Sequence, residues 1–146
     1  MASRKVKYER NIYWRVTELG ELFFYALYGF KAYWAIGIIQ PMCATKIKQQ
    51  IGINLSNYDI KLRTDELIHF LYSHFTETNK KQRGIHFNDI EKLYEVVNYF
   101  NEIKLGNRPD TLLFIKNYPN NDSFELVIEI NNAKKTLLGK SFRIKT

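Results

Sequence analysis

The pattern of apolar positions changes character along this chain. In its first two thirds they recur mostly at the three- and four-residue spacing of helices; in its last third they alternate as in strands. Leu19, Phe23, Ala26, Leu27 and Phe30 predict a helix over residues 16–33, followed by a short strand over Trp34–Ile39. Pro41 suits the first turn of a second helix, with Gly52 as its stop, and Tyr58–Leu62 reads as a second short strand. Thr64 is a good cap for a helix whose apolar face is Leu67, Ile68, Leu71 and Phe75; Asp65 and Glu66 suit its positive end. Asn88, with Glu91 three residues on, predicts the start of another helix, and Ile90, Leu93, Tyr94, Val97 and Phe100 form its stripe. Strands are predicted at Thr111–Tyr118, Ser123–Asn131 and Thr136–Ile144, separated by short turns. The expected fold is α+β: N-terminal helices followed by a C-terminal antiparallel β-meander.

At 146 residues the chain is read as one domain, residues 36–146, preceded by an extension. The extension, residues 1–35, comprises a basic arm and an aromatic helix. With 22 Lys and Arg against 15 Asp and Glu, the net charge of +7 favours an anionic partner, RNA or DNA first. Ten Tyr, ten Phe and two Trp leave aromatics for both a core and a ligand-stacking surface. The single cysteine, Cys43, excludes an internal disulfide and suits a reducing compartment. One Cys and three scattered His have no zinc-site spacing, so neither metal nor other cofactor is expected. Residues 22–39 are very apolar, but Lys31, Gly29 and Gly37 interrupt them. They are read as a buried or partner-binding helix and strand, not a membrane span. No Gly-rich phosphate loop, nucleophile elbow or Cys/His dyad is present, which argues against ATP-powered phosphoryl transfer.

The candidate chemistry lies in the helix of residues 64–75 and in the closing strands. His69 and His74 can serve as general acid or base near neutral pH. On an ideal helix they stand about 140° apart, so both cannot point straight into one site. The plainer reading has His69 exposed and His74 half-buried. If Phe124 and Ile128 face the core, the opposite face of the sheet shows Glu125, Glu129, Ser141 and Arg143. Such a face can bind phosphate and move protons, or be an ordinary solvated sheet with cross-strand ion pairs. Lys140 falls by alternation with Leu138, Phe142 and Ile144 on the inner face. A lysine there points to an edge, a bulge at Gly139, or a site. Lys116 likewise ends a mostly apolar strand.

Several of these segments resemble, in order, a domain family borne by phages and mobile elements. It is grouped with barnase, EndoU, the nuclease domains of tRNA-cleaving colicins, and RelE. The similar segments are Ile39–Ile60, the His helix Leu67–His74, Arg83–Ile90, and the late step Lys140-Ser141-Phe142. The resemblance covers roughly residues 36–146. It implies a ribonuclease-like fold similar to barnase and RelE, and it carries His69, His74, Lys116, Lys140 and Ser141 into a catalytic site. The expected activity is metal-independent endoribonucleolytic cleavage, with a toxin acting on tRNA or mRNA in the cytoplasm of a bacterial host cell as its setting. In that chemistry His69 is the acid or base, Lys116, Lys140 and Arg143 contact phosphate, Ser141 donates a hydrogen bond, and Glu129 is the alternative base. The other reading is a non-catalytic phage accessory protein that binds nucleic acid or a host protein. For either reading, residues 16–39 offer a surface to an antitoxin or host protein.

Overall fold

The computed structural model describes residues 12–75 and 82–146, the side chains of residues 73–75 excepted. In chain order the elements are β1 (Trp14–Val16), α1 (Leu19–Leu27), β2 (Ala32–Ile38), α2 (Pro41–Ile51), β3 (Asp59–Arg63) and α3 (Thr64–Phe75). They continue with β4 (Gln82–Arg83), α4 (Phe87–Ile90), α5 (Leu93–Asn98), β5 (Glu102–Leu105), β6 (Thr111–Asn117), β7 (Ser123–Asn131) and β8 (Thr136–Lys145). All the strands join one sheet in the order β1-β2-β3-β8-β7-β6-β5, with the short β4 on the other part of β8's edge.

The fold is α+β, with two corrections to the expectation. The helices do not all precede the sheet, because strands are interleaved among them. The sheet is mixed: β5 to β8 form the antiparallel meander, but β3 joins β8 in parallel and β1 joins β2 in parallel. These added strands are three to seven residues long or pair with distant partners, so local periodicity does not announce their pairing.

The expected helix over 16–33 is shorter at both ends. Helix α1 stops at Tyr28 because Gly29 turns left-handed, with φ of 75°. The Gly29 N–H then donates to the Ala26 carbonyl and the Phe30 N–H to the Tyr25 carbonyl. The rings of Tyr25 and Phe30 meet edge to face at 6.2 Å, which completes a Schellman stop with its apolar contact. Helix α2 runs as expected from Pro41 to its left-handed cap at Gly52. The helix expected to be capped by Asn88 begins two residues earlier and is broken in two. His86 is its N-cap, and the Asp89 carboxylate accepts the His86 N–H at 2.8 Å.

Burial follows the alternation of β7. Phe124, Leu126, Ile128 and Ile130 are buried, and the helices cover that face. Phe70 of α3 meets Phe142 of β8 at 5.6 Å, and Phe142 meets Phe124 at 5.6 Å. Cys43 on α2 is part of this core and donates to the Val97 carbonyl of α5; burial pushes its thiol up to about 11. A thiol held protonated in this way is a packing residue rather than a nucleophile. Among the described residues no helix is long and apolar enough to cross a membrane.

Arg83 locks the β4 end of the core. Its guanidinium binds both oxygens of Asp89, at 2.8 and 2.9 Å, and Asp122 at 3.0 Å. Burial pushes the Asp89 carboxyl up, but Arg83 and the His86 N–H outweigh it and hold the group below the ordinary carboxylate range. Arg83→Leu strands a buried carboxylate and is expected to cost roughly 2–3 kcal/mol at pH 7 in chemical denaturation. Asp89's contribution is fully present above about pH 4, the ordinary Asp value, and is lost as pH falls through its lower folded value. The difference between variant and wild type therefore narrows in acid. Gly29→Ala, which forces a Cβ into a left-handed turn, is expected to lower stability by about 1 kcal/mol in the same measurement.

Candidate functional site

None of the described helices covers the opposite face of the sheet, and the alternation that buries Phe124 and Ile128 fills it with polar side chains. Glu125, Val127 and Glu129 of β7 stand opposite Arg143, Ser141 and Leu138 of β8. The register slips between Val127 and Ile128, where Lys140 is the extra residue. This bulge corrects the expected inner-face position of Lys140. Gly139, Phe142 and Ile144 point inward and are buried, whereas Lys140 and Ser141 reach the open side together.

Two depressions share Glu129 on this face. The larger, of about 820 Å³, is lined by Tyr13, Tyr33, Lys61, Arg63, Lys134 and Thr136 among others. The smaller, of about 360 Å³, is lined by Asn107, Arg108, Thr111, Val127, Glu129, Lys140 and Ser141. Five cations therefore line the two depressions that Glu129 borders: Lys61, Arg63 and Lys134 in the first, Arg108 and Lys140 in the second. Glu129 is exposed and makes no ion pair among the described residues. Glu125 is already neutralised, by Arg143 at 3.2 Å and Lys145 at 3.3 Å.

Glu66 braces the boundary between the depressions. It lies in the first turn of α3, nearly buried, and its carboxylate takes two guanidinium bonds from Arg63, at 2.8 and 3.0 Å. The same carboxylate holds Lys140 at 3.4 Å. The hydrogen bond to Glu66 raises the Arg63 guanidinium further, so it stays charged at any relevant pH. Tyr13 donates to Asp65 at 2.9 Å, and burial, aided by that bond, raises its hydroxyl above the ordinary value.

The sequence-derived candidates divide between places. Glu129, Lys140 and Ser141 meet in the smaller depression, and Arg143 lies farther along β8 on the same face. Lys116 pairs with Phe124 on the helix-covered side, where it stands 5.6 Å from the Tyr118 ring. His69 is exposed on α3, one turn beyond Glu66, and lines neither depression. The side chain of His74 lies outside the described residues. Lys61, Arg63, Glu66 and Arg108 were not among the candidates. The run Asp59-Ile60-Lys61-Leu62-Arg63 alternates cleanly, and its polar face was the available signal. Among the described residues no cluster of His, Cys, Asp and Glu converges as a metal's ligands.

The open face of this α+β sheet carries cations on both depressions, the charge that an anionic partner requires. The chain belongs to the phage-Barnase-EndoU-ColicinE5/D-RelE like nuclease3 family, whose model matches residues 38–146. Nucleic acid is the substrate class that this membership implies. No curated protein and no solved structure matches the chain significantly.

Glu66→Ala leaves two adjacent cations without their shared anion. It is expected to lower stability by roughly 1–2 kcal/mol in urea denaturation. A loss no larger than that of an exposed surface substitution would mean that the brace is absent in solution.

Proposed function

We propose that the open sheet face binds RNA and cleaves it without a metal ion. The observation that supports this reading most directly is an exposed Glu129, without an ion-pair partner among the described residues, bordering two depressions that carry five cations. In the reaction Glu129 takes the proton of a 2′-hydroxyl, and the 2′ oxygen attacks the adjacent phosphorus. The bond from phosphorus to the 5′ oxygen breaks, and Lys140 returns a proton to that leaving oxygen. Arg108 and the Ser141 hydroxyl hold the phosphate oxygens, stabilising the charge that builds on them. Arg143 extends the cationic track toward the next phosphate.

In this reading the work expected of His69 passes to Glu129, because Glu129 borders both cation-lined depressions and His69 lines neither. His74 and Lys116 receive no part in the proton transfers. The biological role that fits best is a phage or mobile-element toxin acting on tRNA or mRNA in a bacterial cytoplasm. A second surface favours a protein partner such as an antitoxin: Phe24, Leu27, Tyr28 and Phe30 are exposed together at the end of α1.

Purified protein incubated with total RNA in EDTA is expected to cleave it. Glu129→Gln is expected to reduce kcat by roughly 10²–10⁴-fold, the usual worth of a general base, while His69→Ala retains most activity. Absence of cleavage at micromolar protein would sink the enzymatic reading. Binding that weakens steeply with salt, without cleavage, would establish the accessory-protein alternative instead.

A further inference from the structure

Residues 12–37 precede the family match, yet they build one wall of the larger depression. Ile12 and Tyr13 lead into β1, and Tyr33 stands on β2 opposite Arg63 of β3. Strand β1 is only three residues long, and it lies at the sheet edge beside β2. Its short span nonetheless brings the Tyr13 ring to the open face.

Both rings have cation partners. Tyr13 is tied through its hydroxyl to Asp65, and the Arg63 guanidinium and the Lys31 ammonium lie 5.2 and 5.4 Å from its centre. The Lys61 ammonium lies 4.5 Å from the centre of the Tyr33 ring. Aromatic rings interleaved with cations in one groove are what a single-stranded nucleic acid requires. Bases stack on the rings while phosphates meet the cations. Lys134, Asn131 and Thr136 complete the opposite rim with groups that can hydrogen-bond a sugar or a base edge. The volume, about 820 Å³, falls in the range of small-molecule sites.

We infer that the larger depression seats the nucleotide beside the scissile phosphate and accepts it only when its base is unpaired. The tyrosines of the N-terminal segment thus confer a preference for single strands on the nuclease-like sheet. The inference rests on the open face being the RNA site. A base in a duplex has both faces covered by its neighbours and cannot stack on a protein ring without leaving the helix.

The test uses a mixed-sequence oligoribonucleotide with 2′-fluoro sugars, which lacks the attacking hydroxyl, as a single strand and as a duplex. Fluorescence anisotropy at fixed salt gives Kd for the full chain. Wild type is expected to bind the single strand at least tenfold more tightly. Tyr33→Leu is expected to weaken single-strand binding roughly tenfold, the scale of one stacked base, and to leave duplex binding unchanged. Tyr33→Phe, which keeps the ring, is expected to bind as wild type does, and Tyr13→Leu repeats the test should Tyr33→Leu not fold. Equal affinity of wild type for both forms would overturn the inference, as would tyrosine variants that bind the single strand undiminished. Single-strand preference lost in Tyr33→Leu, in a protein that cleaves nothing, supports the subsite while removing the catalytic reading. Cleavage of natural RNA with no dependence on the tyrosines removes the subsite alone.

Discussion

The backbone of β8 joins the two halves of this protein. Every peptide group of a buried strand needs a hydrogen-bond partner, and β8 finds its partners in different parts of the chain. β7 pairs with it along its whole length on one edge. The other edge is shared by β3, parallel over residues 136–138, and by β4, antiparallel at residues 144 and 145. Between them β8 carries its bulge, beside the point where β3 ends and α3 begins. Glu66, in the first turn of α3, reaches Lys140 at this bulge.

From that arrangement follows a division of labour between the faces. One face takes the helices and the aromatic contacts of Phe70, Phe142 and Phe124. The other is left to solvent, and its charges are arranged unevenly. Glu125 and Glu66 are each held between two cations, while Glu129 has no ion-pair partner among the described residues. Carboxylates paired in this way order the cations around them. The Arg83 network holds the opposite end of β8, where β4 pairs with it.

The segment ahead of the family match is part of the same sheet. Through β1 and β2 it lengthens the sheet, and through Tyr13 and Tyr33 it adds aromatic rings to a face otherwise lined mainly by charged and polar groups. Its apolar run, which in sequence invites comparison with a membrane span, divides instead into a nine-residue helix and a seven-residue strand. The division falls at Gly29, where the left-handed turn ends the helix before the chain becomes extended.

Much of this was legible locally. The alternation of β7 and β8 put Glu125, Glu129, Ser141 and Arg143 on one face, and the misfit of Lys140 pointed to an edge, a bulge or a site. Pro41 and Gly52 marked the ends of α2, because caps depend on a few adjacent dihedral angles. Such features are properties of neighbouring residues, so the amino-acid sequence by itself determined them. The pairing of β3 with β8 joins residues 77 positions apart, such as Asp59 and Thr136, and no local period encodes it. Only the tertiary structure decided that Lys61, Arg63 and Glu66 stand with Lys140, that Lys116 turns to the helix side, and that His69 lies outside the depressions. Register and packing between distant strands set those positions, because contacts between distant residues depend on what the whole chain buries at once.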